Sequence, residues 1–527
     1  MKNTSIAVVG GGSVGTSFVR QLADRLKASD RIPLSHLYIY EPSPDPGAGA
    51  AYQPDTASNL LNTRVGTMSP IANDAAHFHR WLMANRELWS PLFPGLDLTA
   101  NSFVPRALFG MYLNKVFTEA VDLLKGLGVA VYHLPHKVSS VTKLRDGYEV
   151  CTVHGVSRMV SGVILCLGNL ETTEWDHMRT YERYFNTPYP CTELIKGIDS
   201  KASVCILGSS LSAIDAAVSL ADAGHTGKIM MVSRNGRLPS VRGEQNLART
   251  TTLLSRSKLE DLTLRRAGQV SLKEIAELLM KELELCEGEI PNLQNIMRIG
   301  QGPHKYLDSE IGDAAVRDRA WQAIAYSTNE SIDLIWRALS LDQKRLFQRE
   351  YKSLWHSYRV SFPIENAIKL QQLLHTDQLS VYAGFKDVFY DEATSRFAVN
   401  IQNKNTGFEA TVLSDAVVNA TGYSTSVEKM RSPLLKGMLS RGLVCADEFG
   451  GIKLEFESGR VIARSGLAMR GLFALGSLAS GTYFWTNAMN VNTRLAAGMV
   501  QRVLDDISLD DVTVDQLADY SQTQIIR

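Results

Sequence analysis

The chain has no CxxC pair, no run of about 20 apolar residues, and no excess of either charge. Each absence removes a class of function. Without closely paired cysteines there is no redox dithiol and no metal-ligand spacing. Cys151, Cys166, Cys191, Cys205, Cys286 and Cys445 are scattered and read as thiols buried in the fold, and no metal site is expected. Without a long apolar run no membrane partner is expected. A strand-like SIAVVG starts at Ser5, leaving no room for a leader, so the expected compartment is the cytoplasm. With 55 basic and 55 acidic residues there is no electrostatic ground for nucleic acid as the main partner.

What remains is an ordinary globular composition, 45% hydrophobic and 21% charged, over 527 residues, which is too long for one core and calls for two or three domains. The first begins SIAVVGGGSVGTSFVRQLADRL, an apolar strand, a glycine turn and a helix, and a second strand HLYIYE ends at Glu41. Gly10, Gly12 and Gly15 therefore stand in a dinucleotide-binding context. Gly10 permits the tight turn, Gly12 lets backbone approach a pyrophosphate, Gly15 lets helix and strand pack closely, and Glu41 accepts bonds from a ribose diol. An alternating stretch follows and ends in VILCLGN at Gly168.

The pattern then starts again. ASVCILGSSLSAIDAAVSLADAG is strand, turn and helix around Gly208, and KIMMVSRNGRLPS supplies a strand ending at Ser233 and Arg234. Arginine stands where Glu41 stood, so the first site suits FAD or NAD and the second NADPH, because a guanidinium pairs with a 2′-phosphate that a carboxylate repels. Arg237 and Arg242, close behind, assist or are merely exposed. Gly208-Ser209-Ser210-Leu211-Ser212 nearly spells a hydrolase nucleophile elbow, but the last glycine is missing and no acid and histidine pair follows in context. Small residues that admit a phosphate explain it better.

From about 250 to 375 the pattern is helical, with SLKE at 271–274 as a capping box and SLDQ at 340–343 opening a helix whose Phe347, Tyr351, Leu354 and Tyr358 form a core stripe. Alternation then returns and ends in DAVVNATGYST at 415–425, a second apolar strand running into a glycine turn at Thr421 and Gly422. A last strand and turn, GLFALGSLASG at 471–481, leads into a helix. His77 and His79, two apart on a helical pattern, point to different sides and share no metal.

These residues are similar to those of two-dinucleotide-domain flavoproteins, and Asp415 to Tyr423, with its ATGY, resembles the class B flavin-dependent monooxygenases, in particular the N-hydroxylating branch. GAGAAY (47–52), LLNTRVGTMS (60–69) and FVPRALFGMYL (103–113) resemble blocks of a broad bacterial FAD/NAD(P)-binding family. The resemblance implies an α/β fold with two Rossmann-like domains. The FAD domain would be discontinuous (1–195 and 376–527), and the NADPH domain (196–375) would carry a helical insertion at about 250–360. It implies that Gly10, Gly12, Ser13, Val14, Gly15 and Glu41 hold the FAD adenosine and pyrophosphate. Tyr52, Asn62, Met68 and Arg106 would line the flavin side, Gly168, Thr421 and Gly422 would be strand-end turns at the cofactors, and Gly476 and Ser477 would approach the ribityl chain. Gly208, Ser209, Ser210 and Ala213 would form the NADPH turn, with Ser233 and Arg234 at the 2′-phosphate.

The activity so implied is NADPH-dependent transfer of one oxygen atom, from a C4a-hydroperoxyflavin, to a small amine or amino-acid nitrogen. The small partners are then that amine and molecular oxygen. The flavin carries the hard step, so no side chain is singled out as catalytic. Arg64, Tyr483, Asn487 and Asn490 are the substrate candidates. Two other readings stay open: a flavin reductase or dehydrogenase without oxygen transfer, and a non-catalytic nucleotide-sensing protein.

Overall fold

In the computed structural model, which describes residues 4–243, 250–288, 292–316, 319–403 and 406–508, one architectural device occurs twice. Strand β1 (Ser5–Val9) is buried at every position, as expected of a parallel strand covered on both faces. Helix Ser13–Lys27 returns the chain to β2 (His36–Tyr40), parallel to β1, and helix Arg106–Gly126 leads to β3 (Ala130–Leu134), parallel to β2. A three-stranded antiparallel meander follows, β4 (Val138–Leu144), β5 (Gly147–Thr152) and β6 (Ser157–Val160). Then β7 (Gly162–Leu165) pairs with the free side of β1. Strand order therefore reverses at β1, and a crevice opens beyond the carboxyl ends of β1 and β7.

The second round uses β8 (Tyr184–Phe185), β9 (Val204–Leu207), helix Leu211–Asp222 and β10 (Ile229–Ser233). The chain forms β11 (Ser240–Val241), makes a helical excursion and returns through β12 (Ser361–Phe362) to β13 (Leu379–Ala383). A second antiparallel meander, β14 (Phe385–Asp391), β15 (Arg396–Asn403) and β16 (Phe408–Ser414), precedes β17 (Ala416–Asn419), which pairs with the free side of β9. The sheet order is β13-β10-β9-β17-β8, and it reverses at β9. Late strands β18 (Arg460–Ile462) and β19 (Ala468–Ala474) then complete the first sheet as β18-β19-β7-β1-β2-β3.

One expectation needs correction. The domain bounds implied by the resemblance place residues 376–419 in the first domain, yet β13 hydrogen-bonds to β10 and β17 to β9, so both strands belong to the second sheet, as the pattern of a second closing strand suggests. The two meanders have the same alternation, and alternation carries no information about which parallel strand the chain rejoins. Residues 509–527 of the expected first domain lie outside the described residues.

Each sheet is covered by helices through separate cores. Phe18, Val19, Leu22 and Leu26 of the first helix are wholly buried against Val500 and Val503 of helix Met489–Ser508. Each such side chain contributes about 1.5–3 kcal/mol. The second core centres on Ile214, Ala217 and Val218 of helix Leu211–Asp222.

The helical excursion leaves and returns at one place, because β11 and β12 form a two-rung parallel ladder, Ser240 opposite Ser361 and Val241 opposite Phe362. Ser271 and Glu274 form the expected capping box. Ser340 also caps its helix through the Gln343 amide, but the Gln343 side chain accepts from Leu272 N at 2.9 Å instead of closing a box. The aromatic stripe is broken. A π turn at Phe347–Tyr351 winds more loosely than an α-helix and shifts the facing positions. As a result Tyr351 is exposed, and Trp355 joins Phe347 in a cluster with Trp336 and Phe484.

Candidate functional site

At the first crevice the glycine turn is fixed by close approach. Gly10 has φ +108°, and a Cβ there would lie 2.1 Å from Cys166 O at the end of β7; a Cβ on Gly15 would lie 2.0 Å from Gly10 O. Helix Ser13–Lys27 starts at Gly12 without a side-chain cap and with no acid in its first turn. Its leading amides at Ser13 and Val14 therefore present an uncompensated positive end suited to a pyrophosphate. Glu41 is oriented by two amides, accepting from Gly11 N at 2.8 Å and Ser43 N at 3.0 Å. The late chain reaches the same place: Gly476, at φ +74°, would bring a Cβ to 3.4 Å from Val14, and Ser477 Oγ donates to Gly168 O. Glycine turns from opposite ends of the sequence thus border one cradle.

The second crevice repeats the construction. Gly208 has φ +128°, and its Cβ would lie 2.5 Å from Ala420 O at the end of β17. Ser210 begins helix Leu211–Asp222, again without a side-chain cap, and Ala213 is buried in that helix. Register refines one expectation. Gly10 N donates to Tyr40 O, and Gly208 N donates to Val232 O, so the residue matching Glu41 is Ser233, and Arg234 stands one further on. Ser233 Oγ pairs with Ser209 Oγ at 2.8 Å and accepts from Gly236 N at 2.9 Å, which leaves Arg234 exposed at the crevice rim. Thr421 is tied back to Asn419 Oδ1, and Gly422 turns with φ +91°.

The crevices are held together by a polar seam. Arg106 donates to Asp215 Oδ2 at 3.0 Å, joining a helix of the first unit to the nucleotide helix of the second. Tyr189 OH donates to the same oxygen at 2.5 Å. Burial raises the Asp215 pKa, Arg106 opposes it, and the net displacement is upward. Thr56 Oγ1 lies 2.9 Å from Ser219 Oγ, which also bonds Asn59 Oδ1 at 3.1 Å. Arg106, expected at the flavin, is thus committed to the seam. Tyr52 packs edge-on against Phe109 near it, and burial raises its phenol pKa despite Arg106. Met68 lies in the apolar cluster of Val65, Phe109 and Tyr112.

The four substrate candidates do not converge. Tyr483 is buried and donates to Phe456 O at 2.8 Å, beside a groove of about 760 Å³ that also carries Arg337 and Arg494. Asn487 is exposed, with no side-chain hydrogen bond among the described residues. Asn490 Oδ1 accepts from Asn329 Nδ2 at 3.1 Å. Arg64 is buried, donates to Gly243 O and lies 5.7 Å from the Phe103 ring. Asn62 is a neighbour of Arg242, whose guanidinium reaches the Asn62 carbonyl at 3.3 Å. Arg242, which the sequence offers as an aid to Arg234 or an exposed residue, is instead buried. Its partners come from residues 62, 326 and 359, and no local pattern links them.

His77 pairs with Tyr112 OH at 2.8 Å, and among the described residues no group of three His, Cys, Asp or Glu side chains has metal-binding geometry. Cys166, Cys191 and Cys205 are buried, whereas Cys151, Cys286 and Cys445 are partly exposed. Among the described residues no helix is long and apolar enough to cross a membrane.

Residues 7–170 match the model of a family described as FAD-NAD(P)-binding. An uncharacterised Escherichia coli K12 protein, YdhS, is 25% identical over 221 residues, which are 41% of this chain and 39% of that protein, so the match spans about two fifths of the curated relative. The fold is similar to that of L-lysine 6-monooxygenase from Pseudomonas syringae, with TM-score 0.57 and 16% identity over 96% of this chain and 99% of that one. It is also similar to ornithine N-hydroxylase of Kutzneria sp. 744, solved with reduced FAD, NADP+ and L-ornithine, with TM-score 0.51 and 13% identity over 95% and 99% of the two chains. The chain thus resembles an FAD-NAD(P)-binding family over residues 7–170 and shares, over nearly its whole length, the α/β fold of these monooxygenases.

Proposed function

We propose that this protein is an FAD-dependent, NADPH-consuming monooxygenase that places one oxygen atom on the nitrogen of a small amine or amino acid. The observation that carries the reading is the pair of glycine turns at Gly10 and Gly208, each at a reversal of strand order, each opening an uncapped helix, and joined through Arg106 and Asp215. The residues fit the cofactors. The Gly10, Gly12 and Gly15 turn with Glu41 would hold FAD through its pyrophosphate and adenosine ribose, with Gly476 and Ser477 alongside. Ser209, Ser210 and Ser233 would receive the NADPH phosphates, and Arg234 would take the 2′-phosphate. When bound, flavin supplies the redox chemistry with oxygen.

The protein's part is positioning and exclusion of water. Arg106 and Asp215 hold the two nucleotide sites at a fixed spacing, and the strap from Thr56 to Asn59 covers the seam. An amine must react as the free base, so the pocket has to favour the neutral form of a group whose ordinary pKa is near 10.4. The likeness in fold to enzymes named for lysine and ornithine supports a nitrogen substrate.

The test is purified protein reconstituted with FAD. Substrate-dependent hydroxylamine formation, requiring both NADPH and oxygen, is the expected result. Oxidation of NADPH that ignores every amine and needs a quinone acceptor would establish the reductase reading instead. Failure to retain FAD or to oxidise NADPH would favour the nucleotide sensor.

A further inference from the structure

The ladder between β11 and β12 brings two arginines together at the foot of the helical excursion. Arg242 directly follows β11, and Arg359 lies two residues before β12. Both are more than nine-tenths buried, at 5% and 3% exposure, and the Nε of each is buried without a hydrogen-bond partner. Their guanidinium carbons lie 3.4 Å and 4.4 Å from the centre of the Tyr326 ring. Among the described residues neither forms an ion pair with a carboxylate: Arg242 reaches the Asn62 carbonyl, and Arg359 donates to Asn329 Oδ1 and lies 5.1 Å from the Trp485 ring. Arg319, buried to the same degree, is by contrast paired with Glu310 at 2.8 Å. A buried, uncompensated charge is strongly unfavourable, and two against one ring more so.

We infer that Arg242 and Arg359 form the seat of a dianionic oxyanion group, a pair of carboxylates or a phosphate monoester, carried by the molecule on which the protein acts. Identification of that molecule as substrate rests on the oxygenase reading; the anion seat itself does not. Three parts of the chain converge there: the Asn62–Arg64 loop of the first unit, the foot of the excursion, and Trp485 near the start of the last helix. The guanidiniums present fixed, directional donors suited to oxyanions. Desolvation depresses the Arg242 pKa to about 10 even with Tyr326 opposing, the expected mark of a cation waiting for a counter-charge. Burial raises the Tyr326 pKa, but Arg242 and Arg359 outweigh it and the net direction is down. The ring therefore shares the same electropositive field.

The experiment is isothermal titration of the FAD-loaded protein, without NADPH, using glutarate, inorganic phosphate and acetate as probes. Glutarate or phosphate should bind with one-to-one stoichiometry, and acetate at least about tenfold more weakly. The better of the two dianions identifies the acid. Arg242→Gln and Arg359→Gln should each weaken dianion binding at least tenfold, and Arg359→Lys, which keeps the charge, should recover part of it. Retained flavin absorbance and circular dichroism check that each variant is folded. Absence of binding by both dianions, or binding unchanged in all three variants, would overturn the inference. So would a ligand-free phenolate absorbance near neutral pH, lost in Tyr326→Phe and unmoved by glutarate, because the counter-charge would then be the protein's own. Since no turnover is read, a protein that binds glutarate and hydroxylates nothing would retire the oxygenase reading and leave the seat in place.

Discussion

Arg106 of the first unit, about one-fifth exposed, pairs at 3.0 Å with the buried Asp215 of the second, and Tyr189 donates to the same carboxylate oxygen. Replacing Asp215 by Leu leaves a largely buried guanidinium with no counter-charge. The expected loss is about 3–5 kcal/mol of unfolding free energy, measured by urea titration. The double variant Arg106→Met, Asp215→Leu should recover most of it, because removing both charges also removes the unpaired one. A double variant no better than the single one would mean that the pair itself supplies the stability.

Nucleotide preference should follow the residues beyond β2 and β10. Arg234→Ala is expected to raise KM for NADPH by roughly 10- to 100-fold with little change for NADH, the equivalent of about 1.5–3 kcal/mol for charge-assisted hydrogen bonds. Steady-state oxidation of both nucleotides decides the matter. Equal effects on NADPH and NADH would remove Arg234 from the 2′-phosphate.

At the other crevice, Glu41→Gln keeps the shape and loses the charge. Retention of FAD through gel filtration should fall, with Kd rising about tenfold, the scale of one charge-assisted hydrogen bond. Gly10→Ala should do worse, since its Cβ would sit 2.1 Å from the Cys166 carbonyl on a backbone at φ +108°. The expected product is colourless protein of lower thermal stability.

How much of this was legible in sequence depends on how local each cause is. Gly10, Gly15 and Gly208 were legible because a tight turn leaves its mark within a few residues. The partners of β13 and β17 were not, because both meanders alternate alike and the choice between sheets is made by strands more than a hundred residues away. Arg234, matched to Glu41 by the sequence, stands one place beyond it, since only the bond from Gly208 to Val232 fixes the alignment. Arg359 left no sequence signal at all. Its meaning comes from a ladder that places it beside Arg242, 117 positions earlier.

Stability should also depend on pH through His225, which is buried behind the second nucleotide helix. Desolvation holds its pKa below the ordinary value, against the Ala202 backbone and Asp199. The folded histidine stays neutral where the unfolded one takes up a proton. The unfolded state thus binds more protons as pH falls below about 6.5, and stability declines there while remaining flat above. Urea midpoints measured from pH 8 to 5.5 should fall at the acid end, and His225→Gln should flatten part of that fall. An unchanged slope in the variant would assign the effect to other groups.

The pairing of β19 with β7 sets a schedule for the nascent chain. Residues 163–165 must wait for residues 472–474, some 300 positions later, before their outer edge is covered. Every strand of the second sheet, the last ending at Asn419, has left the ribosome before then. The second sheet can therefore assemble during translation while the first still shows an open edge at β7, and it is over that interval that a chaperone has an unpaired strand to protect.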